Sequence, residues 1–78
     1  MTSFEKFMQN VGTSEEIGAL TEMVKGNKVN EEKIIEFIRK NKIDCNHMFE
    51  DSEKGFKAHE NWEKLIEFAL ELIPAQEN

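Results

Sequence analysis

The chain has 78 residues, of which 38% are hydrophobic and 33% charged, and its net charge at neutral pH is -6. This length allows one small domain over residues 1–78, whose core is too thin to enclose a deep active site. The hydrophobic content is that of a folded chain, and the acidic balance disfavours nonspecific binding to nucleic acid or anionic membranes.

The first two predicted helices share one start signal, a threonine followed three residues later by a glutamate. In this capping box the hydroxyl accepts a hydrogen bond from the third helical amide, while the carboxylate turns back to the amide of the cap. An apolar stripe at helical spacing follows each threonine, and a glycine follows each stripe as a stop signal. The pattern predicts helices over residues 3–11 and 14–25, capped by Thr2 and Thr13.

The third predicted helix, residues 31–42, has favourable residues at both ends. Asn30 is a good N-cap, and two glutamates follow it at the positive end of the helix dipole. Basic residues occupy the negative end. The apolar face that we expect to enter the core consists of Ile34, Ile35, Phe37 and Ile38.

A long irregular connection is predicted between Asn41 and Gly55. Helical periodicity is lost there, and polar residues that favour turns accumulate. Two large apolar residues, Met48 and Phe49, interrupt the polar stretch. We expect both to anchor the connection to the core.

The last predicted helix, residues 58–73, ends before Pro74, because proline disfavours helical geometry in the residue that precedes it. Apolar side chains cover about 200° of its circumference, a wider arc than the stripe of an ordinary surface helix. Either other helices surround it, or the edges of the arc near Trp62, Phe68 and Leu70 bind another chain, as in a homodimer. Together the segments predict an all-α fold, a compact four-helix domain with a long irregular connection before the last helix.

Four carboxylates repeat at spacings of three and four residues along the polar side of this last helix. They are Glu60, Glu63, Glu67 and Glu71. Like charges at such spacings destabilise an isolated helix by roughly 0.2–0.5 kcal/mol per pair, so the row is either a solvated face or a recognition surface. We predict a small acidic noncatalytic protein-binding module, a regulator or inhibitor that docks this face on a larger protein with a basic surface. Phe68 and Leu70 would supply apolar contacts at the same interface.

The sequence contains no recognisable catalytic or phosphate-binding motif, since its four glycines are scattered and no glycine-framed nucleophile is present. Cys45, His47 and His59 could bind zinc with one carboxylate, but their spacing matches no standard zinc finger. We therefore expect no enzymatic activity, no cofactor and no metal. The single cysteine favours a reducing, cytoplasmic location, and no apolar stretch approaches the roughly 20 residues that span a membrane.

The alternative interpretation is a nucleic-acid-binding protein. The second and third helices and their short turn resemble a helix-turn-helix in length, and the basic segment 25–42 has a net charge of +3. However, the helix that would enter the groove begins with Glu31 and Glu32, which repel phosphates. Nucleic acid is therefore the less favoured partner.

About half of the chain also resembles the Nif11-like leader domain of ribosomally made peptide precursors. The resemblance lies in the stripe of Phe4, Phe7 and Val11 and in the stretch IIEFIRKNKIDCN at residues 34–46. Such a leader would precede a modifiable core peptide behind a glycine pair, which this sequence does not contain. The resemblance is not specific enough to assign a family or a function.

Overall fold

The computed structural model describes residues 2–73, and within that range it contains four α-helices and no β-strand. The helices are α1 (Ser3–Val11), α2 (Glu15–Gly26), α3 (Glu31–Asn41) and α4 (Glu53–Leu72). This arrangement confirms the predicted all-α four-helix fold. The predicted effect of Pro74 on the end of α4 lies outside the described residues. None of the helices in the described range is long and apolar enough to cross a lipid bilayer.

Side-chain caps determine where the first three helices begin. The Oγ1 atom of Thr2 accepts from the amide of Glu5 at 3.2 Å, and the Glu5 carboxylate accepts from the amide of Thr2 at 3.3 Å. These two bonds confirm the predicted capping box of α1. Ser14, not Thr13, caps α2, because its hydroxyl accepts from the amide three residues later at 3.4 Å. Asn30 caps α3, as its sequence position predicts.

The start of α4 is five residues earlier than the sequence predicts. The Ser52 hydroxyl accepts from the amide of Gly55 at 3.2 Å, so α4 begins behind a serine cap at Glu53. Gly55 marks a turn by its residue type, but here it lies in the first turn of the helix, where a Cβ atom would overlap the carbonyl oxygen of Glu50. The irregular connection is correspondingly shorter and comprises residues 42–52.

One cluster of buried apolar side chains, drawn from all four helices and from the connections, forms the core. Its most buried large members are Met8, Leu20, Val24, Ile34 and Leu65. Ile34 and Ile38 represent the predicted apolar face of α3 in this core, while Ile35 and Phe37 pack at its edge and stay partly exposed. The four helices therefore share a single core.

Only one of the two predicted anchors of the connection enters the core. Met48 is buried, whereas the adjacent Phe49 is 68% exposed, so the prediction for Phe49 is wrong. His47 adopts a left-handed conformation with φ 71°, and the amide of Glu50 donates to its carbonyl at 2.9 Å. Within this tight turn the neighbouring side chains point in different directions, and only Met48 faces inward.

Candidate protein-binding surface on the last helix

The exposed side of α4 presents one line of side chains. All four carboxylates of the predicted row are exposed. At 100° per residue, Phe56 lies within the arc of the row near its N-terminal end, and Leu70 borders the arc near its C-terminal end, about 20° beyond Glu63. A rise of 1.5 Å per residue separates these two apolar residues by about 21 Å along the helix. We call this surface the acidic face, and its members are Phe56, Glu60, Glu63, Glu67, Leu70 and Glu71.

Both ends of the acidic face carry exposed apolar side chains. Phe56 is 62% exposed and Leu70 is 53% exposed, and Phe49 of the preceding connection lines a shallow groove together with Phe56. Large apolar side chains that remain accessible and cluster are typical of association sites. The acidic face therefore combines a charged centre with two apolar ends.

The aromatic end of this surface is absent from the binding residues that the sequence predicts. The sequence pattern predicts a core position for Phe49, and Phe56 lies between the predicted connection, which ends at Gly55, and the predicted helix, which begins at residue 58. The available signal was the spacing, because Phe56 stands four residues before Glu60, in register with the carboxylates. Extending the helix back to the cap at Ser52 would have placed Phe56 on the acidic face.

The carboxylates of the acidic face have few partners among residues 2–73. Oε1 of Glu63 lies 2.9 Å from Nε2 of His59, and both side chains are more than half exposed. Within the same range, no Lys, Arg or His forms an ion pair with Glu60, Glu67 or Glu71. Lys64, four residues after Glu60 and three before Glu67, relieves part of the repulsion along the row without forming an ion pair.

Phe68 lies on a different side of α4 from Leu70. Its ring stacks on that of Phe37 in α3, with centroids 4.2 Å apart and planes inclined by 14°. Two residues of helix separate Phe68 from Leu70 by about 160° around the axis. Buried Leu65 and Ala69 occupy the middle of the apolar arc. The structure thus brings Leu70 to the acidic face and assigns Phe68 to the contact between α3 and α4.

The basic side chains of segment 25–42 are dispersed. Nζ of Lys25 lies 2.9 Å from the carboxylate of Glu5, and this hydrogen bond is the main reason why the pKa of Glu5 falls from 4.5 to about 2. The guanidinium of Arg39 lies 5.4 Å from the centre of an aromatic ring in α1. Lys33 and Lys40 line a groove beside α4. The cations of segment 25–42 therefore lie near different groups: a carboxylate of α1, an aromatic ring of α1 and the groove beside α4.

The candidate zinc ligands are not assembled. Cys45 is 2% exposed, and burial, assisted by the charge of Asp44, raises the pKa of its thiol to about 11. His47 lies 2.8 Å from the carboxylate of Glu50, while His59 pairs within α4. Within residues 2–73, no group of three or more metal-ligating side chains is close enough to hold an ion.

Comparisons with models of known protein families, with curated proteins and with solved structures gave no match to this chain.

Proposed function

We propose that this protein is a small noncatalytic binding module, a regulator or inhibitor that docks the acidic face of α4 on a basic surface of a larger protein. The observation that supports the proposal is the exposed carboxylate row with exposed Phe56 and Leu70 at its ends. Complementary charge accelerates the encounter of two proteins, and buried apolar anchors then supply much of the binding free energy.

A purely solvated helix face would explain the carboxylates but not the exposed aromatic residues. Solubility requires charge, whereas an accessible phenyl ring opposes it. Phe49 and Phe56 are the two most exposed large apolar side chains in residues 2–73, and they lie at one end of the same surface. This coincidence favours recognition.

A matched pair of charge reversals tests the proposal. The variant Glu60→Lys/Glu63→Lys reverses the centre of the acidic face, and Glu22→Lys/Glu32→Lys makes the same charge change at exposed positions of α2 and α3. Each tagged chain is used to capture proteins from a nuclease-treated lysate of the source cells, and the captured protein is purified for titration. We expect wild type and control to bind it equally, and the reversal on α4 to weaken binding about tenfold or more, which is about 1.4 kcal/mol.

Equal binding by both variants would contradict the proposal. Recovery that depends on intact nucleic acid would instead favour the helix-turn-helix alternative. In that case Arg39→Ala/Lys40→Ala should weaken binding to duplex DNA, with a smaller dependence of affinity on salt concentration. Two results therefore separate the two interpretations. One is whether nuclease treatment abolishes capture, and the other is whether binding is weakened by mutations on the acidic face or by mutations of Arg39 and Lys40.

A further inference from the structure

The stacked rings of Phe37 and Phe68 form a second partly exposed surface, distinct from the centre of the acidic face. We call this pair the aromatic seam, because it bridges α3 and α4 at the edge of the core. Grooves open on both sides of the seam, and both rings line each groove. The aromatic pair thus lies at the centre of a shallow surface.

The two flanks of the aromatic seam carry opposite charge. Three cations and one carboxylate line the α3 flank, giving a net charge of +2, and one lysine and two glutamates line the α4 flank, giving -1. The residues that set these signs are Lys33, Arg39, Lys40, Glu67 and Glu71. None of the five forms an ion pair with another residue in the range 2–73. The charges of both flanks are therefore accessible to another molecule.

A partner with one sign of charge would be repelled by one of the flanks. The surface instead fits a partner that presents the same two signs in reverse order across an apolar centre. A second copy of the chain provides this order when a two-fold axis runs along the aromatic seam, because the rotation places each α3 flank over the α4 flank of the other copy. An axis across the seam would bring like charges together.

We propose that two copies of this chain associate through the aromatic seam as a two-fold symmetric dimer, with the cationic flank of each on the anionic flank of the other. This inference goes beyond the proposed function, because the rest of the acidic face lies away from the seam and stays exposed in such a dimer. Glu63 lies about 140° around α4 from Phe68, and Phe56 and Glu60 lie about 18 Å and 12 Å from Phe68 along the helix axis. Only Glu67 and Glu71 border both surfaces.

Charge exchange between the flanks tests the dimer. Lys33→Glu/Lys40→Glu makes both flanks negative, and Glu67→Lys/Glu71→Lys makes both positive. Sedimentation equilibrium over a range of protein concentrations should show a reversible dimer for the wild type and monomers for each variant alone. An equimolar mixture of the two variants should form a one-to-one heterodimer, which native mass spectrometry identifies by mass. Formation of this heterodimer also shows that both variants are folded.

Several results would overturn the dimer. The first is a wild type that stays monomeric up to about 1 mM, which corresponds to an association free energy weaker than about -4.1 kcal/mol. The second is a charge variant that still dimerises alone. The third is a pair of folded variants that fail to form a heterodimer in the mixture. Glu60→Lys/Glu63→Lys should dimerise like the wild type. Loss of partner capture in Glu60→Lys/Glu63→Lys and loss of the dimer in the variants of the seam are therefore independent outcomes, and either proposal can fail without the other.

Discussion

Gly55 shows how strongly one missing side chain determines the local structure. It allows the first turn of α4 to pack directly on the backbone of the preceding turn, at the carbonyl groups of Glu50 and His47. Backbone atoms cannot move aside as the end of a flexible side chain can. The close contact at Gly55 therefore helps to fix where α4 begins, and with it the position of the aromatic end of the acidic face.

Replacing Gly55 by alanine should destabilise the fold by about 1–3 kcal/mol, because overpacking at a close approach forces backbone shifts. The control is Gly18→Ala in α2, where a new Cβ atom meets nothing within 4 Å. That substitution should stabilise the protein by about 0.5–1 kcal/mol, the usual gain for alanine over glycine in a helix. Urea unfolding followed by circular dichroism measures both. A harmless Gly55→Ala would show that the turn at residues 47–50 packs differently.

Glu5 should contribute to stability in a pH-dependent way. Hydrogen bonds from Lys25 and from Thr2 lower the pKa of the folded-state carboxyl from 4.5 to about 2. Since the folded pKa is depressed, the contribution is complete above pH 4.5 and is lost as the pH falls from 4.5 towards 2. Thermal unfolding of wild type and Glu5→Gln should therefore differ at pH 6 and converge near pH 2. A difference that persists at pH 2 would contradict this assignment. High salt should reduce the effect, because both partners are partly exposed.

Phe56 should matter for binding and not for folding. Its ring is 62% exposed, so Phe56→Ala should leave the free energy of unfolding nearly unchanged. If the ring anchors the partner, the same change should cost about 2 kcal/mol or more of binding free energy, while Phe56→Trp retains affinity. Titration of the purified partner measures the effect. Unaltered affinity of Phe56→Ala would restrict the interface to the carboxylates.

At the scale of a helix, α4 serves two purposes that oppose each other. Its buried side supplies Leu65 and Ala69 to the core, while its exposed side concentrates carboxylates that repel each other. The serine cap and the core contacts stabilise the helix despite this repulsion. A row that costs stability is therefore expected to have a benefit elsewhere, such as recognition.

This opposition predicts that one substitution will improve folding and weaken function. Glu63→Lys converts the repulsive spacings to Glu60 and Glu67 into attractive ones, at the expense of an exposed pair with His59 that is worth little. The free energy of unfolding should rise by roughly 0.5 kcal/mol while partner affinity falls. Glu63→Gln, which removes the repulsion and the charge of the exposed pair with His59 but adds no attraction, should give an intermediate stability. If Glu63→Lys were destabilising, the row would not carry a folding cost.

The net charge of -6 opposes folding of the chain into a compact domain, because like charges are brought closer together. Added salt screens this repulsion, since the Debye length falls from about 30 Å at 0.01 M to about 10 Å at 0.1 M. The urea midpoint should therefore rise with sodium chloride at pH 7, whereas binding to a basic partner should weaken. The variant Glu22→Lys/Glu63→Lys, with a smaller net charge, should show a smaller rise. Equal salt responses would mean that net charge does not limit stability.

Local patterns in the sequence predict the four helices of residues 2–73, the ends of α1 and α3 to within one residue, and most of the core. These features follow from interactions between residues three or four positions apart, such as the Thr2 capping box and the stripe that includes Ile34. The row of carboxylates was also evident, because helical spacing alone puts its members on one side. Local rules were sufficient wherever the chain forms regular helix.

Which parts of the broad apolar arc of α4 are covered depends on the packing of the other helices against it. Periodicity cannot separate Phe68, which stacks on α3, from Leu70, which stays exposed, because the choice depends on where the neighbouring helix lies. The outward position of Phe49 depends on the left-handed backbone of His47, and the early start of α4 depends on a serine cap and a close backbone contact at Gly55. The serine cap is a local signal that the sequence offers. The stacking of Phe68 on α3 and the close backbone contact at Gly55 instead join segments whose relative placement is established only when the chain packs, so helical periodicity does not specify them.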